Sequence, residues 1–201
     1  GGTNAGTITI TNQAGEISIG QNFAVRANGG SGNATGGSIT ISSPNNKLSL
    51  NGDVVSNGKG TGNGKNITLN AKDFSANGAK ILANADSSGS ASGGNINIQA
   101  QNVLPPTSKV QIFARGFGTT NGNGGTVVIR ETANSSGNFL LGNSAYEIRA
   151  DSMAEGDGGF IDILVTGRLT GDASSLSATA GSSGNGKGGG ISLASNNSSL
   201  D

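Results

Sequence analysis

The chain repeats one short pattern: a loop rich in Gly and Asn, an aliphatic residue, one spacer and a second aliphatic residue. The pairs are Ile8/Ile10, Ile39/Ile41, Ile67/Leu69, Ile96/Ile98, Val127/Ile129, Ile161/Ile163 and Ile191/Leu193. Successive pairs lie about 28 to 34 residues apart, which marks an internal repeat. One such unit cannot bury its apolar side alone. The units must therefore stack and share one elongated core.

Each repeat holds two further apolar stretches after the pair. The second stretch supplies Ile17/Ile19, Leu48/Leu50 and Phe139/Leu141. The third stretch closes on a small residue, in turn Ala27, Ser56, Ala83, Ala114, Ala150 and Ala178. Short alternating stretches bounded by Gly, Asn, Asp or Ser predict strands. We therefore expect one all-β domain over residues 1–201, a right-handed parallel β-helix (solenoid) of about seven coils with three strands per coil. Because the chain stops within a repeat, we interpret it as an excised segment of a longer repetitive protein.

Three local features refine this prediction. Glycine pairs precede the first strand of many repeats, and we expect them to have positive φ: Gly36-Gly37, Gly93-Gly94, Gly124-Gly125, Gly158-Gly159 and Gly188-Gly189. Pro105-Pro106 cannot donate to a strand ladder and predicts a shortened or bulged second strand. Alternation places one outward residue at the centre of each first strand, namely Thr9, Thr40, Thr68, Asn97, Val128, Asp162 and Ser192. The three threonines suggest ice binding, although Thr is also a common exposed strand residue.

Composition excludes several classes of function. The chain has no Cys and no His, which removes Ser-His-Asp and Cys-His catalysis and zinc sites built from these ligands. Twelve basic residues balance twelve acidic ones, so a nucleic-acid partner is not expected. No apolar run is long enough for membrane insertion. We expect no cofactor, no metal and no enzymatic activity.

The order of motifs resembles a known family. A Gly pair, an x-Ile-x-Ile strand, an apolar alternation and a closing aliphatic-x-Ala, as in the repeat from Gly93 to Ala114, resemble filamentous-haemagglutinin-like exoproteins of the two-partner-secretion type. The resemblance implies a large bacterial surface adhesin with a parallel β-helix, located in the secreted or cell-surface fraction. It also implies an adhesive or scaffold role, with surface glycans, neighbouring cells and flanking coils of the same polypeptide as partners.

Aromatic and basic residues of the later repeats are the candidates for glycan contact: Phe113, Phe117, Phe160, Arg115 and Arg130. Phe113 is predicted to face outward, and exposed rings beside arginines can stack on sugars. The alternative is that the rings cover one another or the mouth of a bulged coil.

An acidic patch supports the alternative functions. Asp151, Glu155, Asp157 and Asp162 lie close in sequence. A pair of carboxyl groups at the right separation would give a polysaccharide-degrading β-helix enzyme, a lyase or hydrolase. The same oxygens suit calcium, although the stretch from Gly156 to Asp162 departs from the calcium-binding nonapeptide. The simplest interpretation is solvated loop charge. A self-assembling extracellular filament or sheath component is a further alternative.

Overall fold

The computed structural model describes residues 2–86, 90–117, 122–133, 138–141, 145–153, 155–171, 175–182 and 185–196. In this part of the chain the regular structure is almost entirely β. The strands are β1 (Ile8–Thr11), β2 (Ile17–Ile19), β3 (Ala24–Arg26), β4 (Ile39–Leu50), β5 (Asp53–Val55), β6 (Ile67–Ala76), β7 (Lys80–Leu82), β8 (Asn95–Val103), β9 (Val110–Phe113), β10 (Thr126–Glu131), β11 (Asn138–Leu141), β12 (Tyr146–Arg149), β13 (Phe160–Val165), β14 (Arg168–Gly171), β15 (Leu176–Ser177) and β16 (Gly190–Ser195).

Equivalent strands of successive turns pair in parallel. The first sheet runs β1-β4-β6-β8-β10-β13-β16, and β2 also pairs with β4. The third strands stack in the order β3-β5-β7-β9-β12, with β15 on β12, and β11 and β14 join this sheet through β12. The result is a parallel β-solenoid of six turns followed by the first strand of another, which confirms the predicted fold class.

The predicted register of the first strands is confirmed. Ile39 pairs with Ile67, which pairs with Ile96, and all three are buried in one column of the core. The outward central residues likewise stack in the predicted order, Thr9, Thr40, Thr68, Asn97, Val128, Asp162 and Ser192. The threonine column therefore ends after three members.

The prediction of three separate strands per turn is correct for some turns and wrong for others. In β4, β6 and β8 the first and second stretches form one continuous strand, and β4 changes register against β6 between Ser43 and Lys47. Small buried residues at the bend, Ser43, Ala71 and Ala100, let the backbone turn the corner without leaving the ladder. As Pro105 predicts, β8 ends early, at Val103.

The corner after each third strand is tight. The closing residues Ala27, Ser56, Ala83, Ala114, Ala150 and Ala178 are all buried. In five turns the carbonyl of the closing residue accepts a hydrogen bond from the second glycine of the following pair, as from Gly94 to Ala83 at 2.6 Å. The loop between third and first strands therefore begins and ends at the same point beside the core.

The predicted reason for the glycine pairs is wrong. Positive φ occurs at Gly32, Gly60, Gly78 and Gly171, none of which belongs to a pair. Close approach explains the pairs instead, at every paired position except Gly188, as a Cβ at Gly159 would overlap the carbonyl oxygen of Gly125 in the turn before it. A Cβ at Gly158 would overlap the carbonyl oxygen of Ala178 in the turn after it. Only a residue without a side chain fits between turns that pack this closely.

Candidate functional site

Two polar ladders run along the loop edge of the solenoid. The first follows the closing residue of each turn. Asn28 Oδ1 accepts the backbone N–H of Asn57 at 3.0 Å, Asn57 accepts that of Asn84 at 2.9 Å, and Asn84 accepts that of Arg115 at 2.9 Å. Arg115 takes the asparagine position in the fourth turn and interrupts the ladder. Asp151 resumes it by accepting the N–H of Thr179 at 3.0 Å.

The second ladder lies just before the glycine pairs. Asn63 Oδ1 accepts the backbone N–H of Ser92 at 2.8 Å, and Ser92 Oγ accepts that of Asn123 at 3.3 Å. Asn123 then accepts the N–H of Asp157 at 2.9 Å, and Asp157 accepts that of Lys187 at 2.7 Å. Both ladders join neighbouring loops, so the loops stack in register as the strands do.

The acidic patch separates into structural roles. Asp151 is buried, and its Oδ1 also accepts the hydroxyls of Ser177 at 2.5 Å and Thr179 at 3.1 Å. Asp157 is a ladder residue. Glu155 lines a surface groove of about 370 Å³ together with Asp157, Asn123, Gly156, Asn185 and Gly186. No three acidic residues of the described ranges come together as a metal site would need.

Asp162 lies on the outer side of the first sheet, where it forms an ion pair with Arg130 of the preceding turn. The hydrogen bond from the Arg130 guanidinium lowers the pKa of Asp162 from its usual value; partial desolvation opposes this, and a hydrogen bond with Ser192 adds to it. A glycosidase acid needs a raised pKa to hold its proton. The ion pair therefore favours a structural role for Asp162.

The five glycan-contact candidates fall on different surfaces. Phe160 is 42% exposed and shares the outer side of the first sheet with Arg130. Phe117 is half-buried in the loop edge, where its backbone bridges to Ala91 in antiparallel fashion. The expectation that Phe113 is an exposed ring is wrong. It alternates with the core residue Ile112, but its exposure is only 7% because an arginine covers it.

Phe113 and two arginines pack together on the outer side of the third strands. The guanidinium carbon of Arg115 lies 4.0 Å from the centroid of the Phe113 ring, and that of Arg149 lies 5.9 Å from it. Arg149 is the register partner of Phe113 in the next turn. Both distances are within the range of cation–π attraction. The two positively charged side chains therefore lie against the same Phe113 ring.

Glu147 anchors the same surface. It accepts hydrogen bonds from Lys109 at 2.7 Å, Arg149 Nε at 2.7 Å and Gln111 Nε2 at 3.1 Å. Desolvation alone would raise its pKa, but these three hydrogen bonds and the charge of Arg149 outweigh burial and lower the pKa of Glu147 to about 2. We call Lys109, Phe113, Arg115, Glu147 and Arg149 the arginine–phenylalanine cluster.

Sequence reasoning found Phe113 and Arg115 but missed Lys109, Glu147 and Arg149. The available signal was register: once β9 and β12 are stacked, Gln111 lies beside Glu147 and Phe113 beside Arg149. With Asp151 close to Arg115, the surface carries three cations and two carboxyl groups. This surface is therefore positive by one charge, on a chain whose formal net charge is zero.

No protein-family model, curated protein or solved structure matches the chain. The class that the structure defines is the parallel β-solenoid, and the resemblance to filamentous-haemagglutinin-like exoproteins stays a prediction. No helix within the described ranges is long and apolar enough to cross a membrane.

Proposed function

We propose that this solenoid is a structural and adhesive segment of a secreted or cell-surface bacterial protein. In this role its rigid stack of turns displays loops and outer faces to surface glycans or neighbouring cells. One observation carries the proposal: Asp151 and Asp157 each accept a backbone N–H from the next turn. Two of the four acidic side chains that best suited catalysis are thus used to hold turns together.

The exposed rings support contact with glycans. Phe160 is 42% exposed and lies on a strand whose register is fixed by both neighbouring turns. Phe117 on the loop edge is half-buried, and its backbone is held by the bridge to Ala91. Aromatic side chains offer a flat apolar surface at low entropic cost, because few torsions have to be fixed on binding. Rings held in this way suit weak contacts that many copies on a surface would multiply.

The proposal is tested with beads coated with the chain, incubated with bacterial cells and with a glycan array. We expect the wild type to bind, and Phe117→Ala and Phe160→Ala to reduce binding severalfold. Phe23→Ala is the matched control, since Phe23 is 73% exposed but lies in the first turn, away from the candidate residues. Equal binding by all four proteins would contradict glycan contact through these rings. Depolymerisation of a polysaccharide by the wild type, abolished in Asp162→Asn, would replace the proposal by the enzyme alternative.

A further inference from the structure

Arg115 is a mostly buried cation whose guanidinium donates no hydrogen bond to the described part of the protein. Its side chain is only 18% exposed. Its Nε is the one buried side-chain nitrogen or oxygen atom of the described ranges that has no hydrogen-bond partner. Burying a polar group without a partner costs free energy, and more so for a charged group. Such a group in a native fold calls for an explanation.

The nearest carboxyl group does not supply the missing partner. Asp151 Oδ2 is 3.9 Å from Arg115 Nε, too far for a hydrogen bond, and Asp151 Oδ1 is taken by Ser177 and Thr179. Desolvation is the main reason that the pKa of Arg115 is lowered, and repulsion from Arg149 adds to it. The charge of Arg115 is therefore only partly neutralised by the protein.

The guanidinium of Arg115 is nevertheless held in place. It lies over the Phe113 ring at 4.0 Å, and the backbone N–H of Arg115 is fixed by Asn84. Arg149 is fixed in a similar way, because Glu147 accepts its Nε–H at 2.7 Å. No protein acceptor within the described ranges takes the terminal nitrogens of either arginine. Two guanidinium groups are thus held near the Phe113 ring, and their terminal N–H groups are available to a ligand.

We propose that Arg115 and Arg149 bind the carboxylate of a uronic acid residue in an acidic glycan. A planar carboxylate can accept paired hydrogen bonds from the terminal N–H₂ groups of a guanidinium, which are the donors left to a ligand because Arg115 Nε is buried and Arg149 Nε is bonded to Glu147. An anion between the two arginines also relieves their mutual repulsion. Gln111 and Lys109 border the site, where both contact Glu147 beside Arg149. A neutral sugar would leave the positive charge uncompensated. The choice of a glycan rests on the proposed function, and the site itself rests on the arginines.

Calorimetry with trigalacturonate, and with its uncharged methyl ester, tests this site. We expect the wild type to bind the acid and not the ester. Arg115→Asn restores asparagine to the ladder position that Asn28, Asn57 and Asn84 occupy, so it removes the guanidinium in a form that suits the fold. We expect this variant to weaken binding about tenfold or more, as loss of a hydrogen bond to a charged group does.

Two further variants complete the test. Arg149→Gln is expected to weaken binding of the acid to a similar extent. Arg26→Gln is the matched control, because Arg26 occupies the same outward column four turns earlier, is 54% exposed and pairs with Asp53. It is expected to bind as the wild type does. Wild-type affinity in Arg115→Asn and Arg149→Gln, equal binding of the ester, or no binding of the acid would each overturn the inference.

The result also separates this site from the proposed function. If the chain fails to bind trigalacturonate but still binds cells or glycans through Phe117 and Phe160, only the arginine site falls. If trigalacturonate binds through Arg115 while the bead assay shows no contact with cells or arrayed glycans, the site stands and the adhesive role falls.

Discussion

Glu131 connects turns that are not neighbours, and its removal gives the sharpest test of the fold. It ends β10 at the corner where Ala100 stands one turn earlier, and it is only 5% exposed. Its Oε1 accepts the N–H of Val103 in the turn before at 3.0 Å. Its Oε2 accepts the N–H of Thr166 in the turn after at 2.9 Å and the Thr166 hydroxyl at 3.0 Å. One side chain therefore joins three turns.

The expected cost follows from the donors that would lose their acceptor. Glu131→Ala would leave the N–H groups of Val103 and Thr166 without their acceptor in a buried corner. Each buried unsatisfied donor costs about 1–3 kcal/mol, so we expect the free energy of unfolding to fall by about 2–6 kcal/mol. Glu131→Gln keeps one oxygen acceptor and turns an N–H₂ group toward the other donor, so we expect about half of that loss.

Urea unfolding followed by circular dichroism measures the effect, with Glu16→Ala as the control because Glu16 is exposed in the first turn. Amide hydrogen exchange adds a local readout: protection of Val103 and Thr166 should fall together, although they belong to different turns. If Glu131→Ala stays within about 0.5 kcal/mol of the wild type, like an ordinary surface substitution, the bridging role is refuted.

Three further outcomes are expected. The hydrogen bonds of Glu147 lower its pKa from 4.5 to about 2, so the stability that it contributes is present above about pH 4.5 and is lost as the pH falls toward about 2. Over this interval the midpoint of thermal unfolding should drop less in Glu147→Gln than in the wild type. Parallel pH profiles of the two proteins would contradict the assignment. Gly158→Ala should destabilise the solenoid by at least about 1–3 kcal/mol, because its Cβ would overlap the Ala178 carbonyl oxygen. Gly188→Ala, at the equivalent position of the next loop, has open space around its Cβ and should leave the free energy of unfolding unchanged in the same urea titration. Phe74→Ala should cost about 3–5 kcal/mol from loss of a ring that is 1% exposed, while Phe23→Ala should cost little; similar losses would mean that the core is not where the burial places it.

The stacking of turns could be predicted because it depends on the residue type at single positions of the repeat. Period-two alternation fixed which residues of each first strand face inward, and a shift by one residue would have exposed Ile39 and its partners. The repeat spacing then fixed which residues stack, so that even Thr68 beside Asn97 and Val128 beside Asp162 were expected. Early termination of β8 before Pro105 followed from the missing N–H.

What the sequence did not reveal depends on contacts between side chains from different positions of the repeat. Covering of Phe113 depends on the conformation of Arg115, which comes from the loop after its own strand. The hydrogen bonds of Glu147 combine Lys109 from before β9 with Arg149 from its own strand. The role of the glycine pairs required the separation of adjacent loops, since a glycine needed for close approach and one needed for positive φ look the same in sequence.

In a stacked fold, equivalent positions of successive turns share one environment. A residue of a different type at such a position is therefore informative. Glu131 in the small-residue corner and Arg115 in the asparagine ladder are both exceptions, and both belong to the later turns. The difference lies in compensation. Glu131 finds donors in the turns on either side, so its presence is explained within the fold. Arg115 lacks the ladder acceptor, and its buried Nε has no hydrogen-bond partner among the residues that the structure describes. Local departures from folding rules that the protein does not compensate are expected at functional sites, and by this criterion Arg115 is the position where we expect the proposed ligand to bind.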